Sequence, residues 1–150
     1  MRRLIFLLSG CLYLVLTGAG PALAQSAATL DEGERLAAAG DVQGALGVYE
    51  TLVKEQPDSH QAFNRLGGMQ LASQHYADAV KSFQQAVMLG DPSAGAFIGM
   101  GMGYLHMGEY GPARAAFVEA KARGVQNPAE VDSVIEWIDS REPGMLGMHQ

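Results

Sequence analysis

A chain of 150 residues, 48% hydrophobic and 17% charged, supplies enough apolar surface for one small domain held by packing. Its net charge of −6, with no Lys/Arg cluster, argues against nucleic acid or an anionic membrane surface as a ligand. A single cysteine, Cys11, leaves no disulfide framework.

In chain order, Arg2 and Arg3 precede the apolar run Leu4 to Leu16, and Ala22-Leu23-Ala24 places small residues where a signal peptidase reads. This is the pattern of a secretory signal peptide, residues 1–24, cut after Ala24, and the run is short for a membrane span. Leu8-Ser9-Gly10-Cys11 resembles a bacterial lipobox, so a lipid on Cys11 is an alternative anchor. Against it, the sequence stays apolar after the cysteine.

From Ser26 onward the period is helical. The first helix is expected over about 26–38, stopped by Gly40, and the second over 42–56, capped by Asp41 and ended by Pro57. Asp58, with Gln61 three residues on, reads as the cap of a third helix over 59–72. A fourth is expected over 76–89. Asp91 and Pro92 read as the cap and first residue of a fifth, reaching Met107. The sixth covers 110–123, and a seventh, capped by Asn127 with Pro128 at its first position, runs to Arg141 and carries Val131, Val134, Ile135 and Ile138 on one face. The tail 142–150 has too little apolar surface to fold alone and is expected to be mobile.

The helices repeat. Ala79, Phe83 and Ala86 share one helical face, and the same small–large pattern returns 34 residues away on either side, as Ala45, Tyr49 and Leu52 and as Ala113, Phe117 and Ala120. Gly33, Gly67 and Gly101 precede them at the same spacing, letting the first helix of each pair approach the second closely, with the alanines opposite. This spacing and these positions resemble tetratricopeptide repeats, each a pair of antiparallel helices. The second repeat supplies Phe63, Leu66, Gly67, Ala79, Phe83 and Ala86 and departs at Gln70, where tyrosine is usual. The third supplies Phe97, Met100, Gly101, Tyr104, Ala113, Phe117 and Ala120. The first is weaker, because Thr29 and Glu32 stand where apolar residues are usual, as suits a terminal repeat with no neighbour before it.

The resemblance implies an all-α right-handed solenoid: three helix-turn-helix repeats over about 26–59, 60–93 and 94–127, then a capping helix over 128–141. It also implies a concave groove lined by the first helix of each pair. Carried over, the groove positions are Gln61, Asn64, Arg65, Gly68, Leu71 and Ala72 from the second repeat and Gly95, Ile98, Gly99, Met102, Leu105 and His106 from the third, with Leu30, Asp31, Glu34 and Ala37 from the first. The Lys/Asn/Arg set that grips a peptide carboxylate in this family is mostly missing, and what remains is an apolar trough with a polar spot at Asn64 and Arg65. Gly95, Gly99 and Gly103 form a bare stripe, suited either to packing against the neighbouring repeat or to close docking of a partner.

The expected partner is therefore another protein or peptide presenting an apolar helix or extended segment, with the chain as an adaptor or assembly factor in the bacterial envelope. After processing no membrane span remains, and self-association of repeats end to end is compatible with the pattern. A different class of function, copper binding, is suggested by Met100, Met102, His106, Met107, Met145, Met148 and His149, although Met100 and Met102 point to different sides of a helix. No nucleophile, base and orienting group can be placed together, and no phosphate loop follows a strand, so no enzyme, cofactor or resident metal is expected.

Overall fold

The computed structural model describes residues 28–141. The expected signal peptide, Cys11 and the tail with Met145, Met148 and His149 lie outside them. Seven helices follow in order: α1 Leu30–Ala38, α2 Val42–Glu55, α3 His60–Ala72, α4 Tyr76–Met88, α5 Ala94–His106, α6 Tyr110–Ala122 and α7 Pro128–Arg141. Each packs on the next, and α3 also meets α5, so the described residues form an all-α solenoid of three helix pairs with α7 at the end.

The close approach within each pair is made by a glycine on the first helix and a ring on the second. A methyl group at Gly67 would lie 3.0 Å from the Phe83 ring and one at Gly101 would lie 2.8 Å from Phe117; at Gly33 it would overlap Tyr49. The groups nearest these glycines are thus the rings rather than Ala45, Ala79 and Ala113, which are fully buried in the core. The reason is size, since an aromatic ring fills the gap that the absent side chain leaves, whereas an alanine would leave a void. Gln70, the departure in the second repeat, accepts a hydrogen bond of 2.6 Å from the hydroxyl of Ser82, which is itself buried. A polar pair thus occupies the place that Tyr104 and Ala116 hold one repeat later.

Three helix starts differ from expectation. The first helix begins at Leu30, where Thr29 accepts from the Glu32 N–H, so Ala28 and Thr29 are not helical. Ser59 rather than Asp58 caps α3, its hydroxyl accepting from the Ala62 N–H. Pro92 precedes α5 rather than opening it: the Asp91 carboxylate accepts from the Ser93 N–H at 2.8 Å and from Asn64 at 2.6 Å, which holds residues 91–93 in a turn.

The last helix rests on α6 more lightly than the repeat helices rest on one another. Val131 and Ile138 are buried against Ala113 and Phe117, with Val134 and Ile135 beside them. Arg114 clasps Asp139 with two bonds of 2.6 and 3.2 Å, Lys121 reaches Asp132, and Tyr110 meets Trp137 edge-on at 5.8 Å. No helix among the described residues is long and apolar enough to cross a membrane.

Candidate concave groove

Two open cavities lie along the inner side of the solenoid and share Gly95. The first, of about 710 Å³, lies between α5, the loop 124–127 and α7; Ile98, Met102, Leu105, Val125, Val131 and Val134 make it apolar, and Glu130 stands at its edge. Met102 is 43% exposed, a large apolar side chain left facing water. The second cavity, of about 600 Å³, lies over α1, α3 and the α4–α5 turn, and is polar: Asp31, Glu34, His60, Gln61, Asn64, Arg65 and Asp91 line it.

The polar spot expected at Asn64 and Arg65 is already engaged within the chain. Arg65 pairs with Glu34 at 2.6 Å across α1 and α3, and Asn64 donates to the buried Asp91. Both are therefore tied to carboxylates that the chain supplies itself.

Of the other expected groove residues, Gln61, Gly95, Ile98, Met102 and Leu105 line the two cavities, as do Leu30, Asp31 and Glu34. Gly68 is open, with nothing where its side chain would stand. Three point elsewhere. Gly99 is buried, and a Cβ on it would overlap Phe83; Gly103 meets Val80 in the same way, so two of the three striped glycines serve the contact between α4 and α5. Leu71 packs against the Phe83–Met100 cluster. His106 is exposed and stacks on Tyr76, rings 4.4 Å apart and nearly parallel, outside both cavities. Ala37 and Ala72 line neither cavity.

The sequence missed the wall opposite α5. The apolar face of α7 was legible from Val131 and Val134, yet it reads as a lid for the repeat end, and only the path of the loop 124–127 turns its first half toward the groove. His60, which no sequence motif singles out, is half-buried in the polar cavity. Among the described residues no cluster of three or more His, Cys, Asp or Glu is placed to hold a metal. Of the copper candidates, Met100 is buried in the core and Met102 faces the groove.

The tetratricopeptide repeat family model matches residues 30–96. No curated protein gives a significant sequence match. Solved structures share the fold at low identity. The tetratricopeptide domain of Arabidopsis OM64 superposes with a TM-score of 0.69 at 14% identity, covering 73% of this chain and 90% of that one. The TPR2B domain of yeast Sti1, solved in complex with pHsp70, gives 0.68 at 15%, covering 73% and 92%. PcrH, solved with the chaperone binding region of PopD, gives 0.69 at 17%, covering 73% and 87%. The sequence match spans the first two repeats, and the described residues share the tetratricopeptide-repeat fold through the third.

Proposed function

We propose that the chain is an exported protein-interaction module, an adaptor or assembly factor of the bacterial envelope, which holds an apolar helix or extended segment of another protein in its concave groove. The observation that carries this reading is the apolar cavity between α5 and α7, with Met102 exposed in it. Burying such a side chain in a partner's apolar anchor contributes about 1.5–3 kcal/mol, the scale of a binding hot spot. The Sti1 and PcrH structures, each solved with a bound protein partner, support a ligand of this kind. Export rests on the pattern of Arg2, Arg3, the apolar run and Ala22-Leu23-Ala24. The work proposed is binding and not catalysis.

Capture from envelope extract tests the reading. Immobilised mature chain is compared with Met102→Glu, which places a charge in the cavity, and with Met88→Glu, a control at an exposed residue that lines neither cavity. A partner retained by the native chain and by Met88→Glu but lost by Met102→Glu is expected. Equal retention by all three contradicts the groove. Intact mass of the exported protein separates cleavage after Ala24 from a lipid on Cys11.

A further inference from the structure

We infer that the segment bound in the groove is amphipathic along its length: apolar side chains fill the cavity between α5 and α7, and Lys or Arg side chains lie over α1 and α3. The inference rests on the groove reading above and names the chemistry of its occupant. Its basis is the imbalance of charge along the lining. The polar cavity holds three carboxylates, Asp31, Glu34 and Asp91, and one guanidinium, that of Arg65, which Glu34 already engages. The apolar cavity adds the carboxylate of Glu130 and no cation. Among the described residues neither Asp31 nor Glu130 has an ion-pair partner.

An incoming carboxylate would meet this excess with no cation left to receive it, whereas a Lys or Arg would find Asp31 and the outer side of Glu34. A second copy of the chain is a poor occupant, because it carries a net charge of −6. The two cavities meet at Gly95, which is exposed and has only the Ser93 hydroxyl, 3.6 Å away, near where a side chain would stand, so one segment can cross from one to the other. At the usual spacing of packed helices, about 8–10 Å, two steps from α1 through α3 to α5 would span about 16–20 Å. That is about six residues of extended chain between the apolar anchors and the basic group.

A random peptide library displayed on phage and selected on the mature chain tests this. Enriched peptides are expected to combine an apolar cluster with Lys or Arg about six residues away. A synthetic copy of the strongest is expected to bind about tenfold more tightly than the same peptide with Glu in place of its basic residues. That gap should close in an Asp31→Lys, Gln61→Lys variant with unchanged melting; Asp31→Asn, a milder change, should narrow it if the double variant does not fold. Apolar peptides without a charge preference, or with an acidic one, overturn the inference and leave the groove reading standing. A selection that enriches nothing overturns both, and a dimer that the peptide does not dissociate would make a second copy the occupant.

Discussion

The ring of Phe83 occupies the space where Gly99 lacks a side chain and also lies against Gly67, so one aromatic of α4 is held between the backbones of α3 and α5. This couples the second repeat to the third through a residue that also closes its own helix pair. Gly99→Ala is expected to destabilise the protein by about 1–3 kcal/mol, because the ring must shift inside a packed core. Gly47→Ala, at an exposed helical position with nothing nearby, is expected to stabilise it by about 0.5–1 kcal/mol. Urea unfolding of the two variants checks both signs; a gain for Gly99→Ala would remove the contact from the account.

The turn after α3 offers a cleaner backbone test. Gly40 and Gly108 end the first helices of their pairs at positive φ, and at the matching place Gln74 adopts φ 62° with the same return hydrogen bonds, His75 N–H to Gln70 and Gln74 N–H to Leu71. A side chain in this left-handed conformation costs about 1 kcal/mol, so Gln74→Gly is expected to raise stability by about that amount. Thermal melting of this variant beside the native chain measures it, and a lower melting temperature would contradict the strain.

Much of this architecture was legible because the repeat is written in residue types that have few other uses at such spacing. The glycine and aromatic positions announced the helix pairs, but the sequence reading set the alanines opposite the glycines, where the structure sets the larger rings. The start of α5 was not legible: Asp91 is held by Asn64, 27 residues earlier, and that bond, not the proline beside it, sets where the helix begins. The groove was half legible for the same kind of reason. Ile98 and Met102 follow from helical position, whereas the Arg65–Glu34 pair and the turn of α7 toward the groove depend on neighbours distant in sequence.

Tyr49 ties stability to alkaline pH. Burial pushes its phenol above the ordinary value of 10.0, with Arg65 pulling down and Glu34 pushing up by lesser amounts. The folded protein therefore keeps this proton longer than the unfolded chain does. The resulting stability is complete below about pH 10 and is lost as pH rises beyond it. Tyr49→Phe is expected to flatten the fall in melting temperature above pH 10, and parallel profiles for the two proteins would contradict the assignment.

The α7 wall depends on Arg114 and Asp139. Asp139→Asn removes a charged, two-bonded clasp that is partly shielded from water, and is expected to cost about 1–2 kcal/mol. Because α7 is the lightly held end, the loss should fall on it first. Trp137, the one tryptophan of the chain, is expected to report an earlier transition by fluorescence than far-UV circular dichroism does for the whole protein. Coincident transitions would mean that α7 unfolds with the repeats.

The claim that the apolar cavity is the binding surface is tested most directly by methyl NMR of the mature chain, labelled at methionine and isoleucine, during titration with its captured partner segment or the strongest selected peptide. The account predicts that the methyl signals of Met102 and Ile98 shift and saturate together while Met88 stays in place. Shifts at Met88 with Met102 and Ile98 unmoved would place the interface on another face and contradict it.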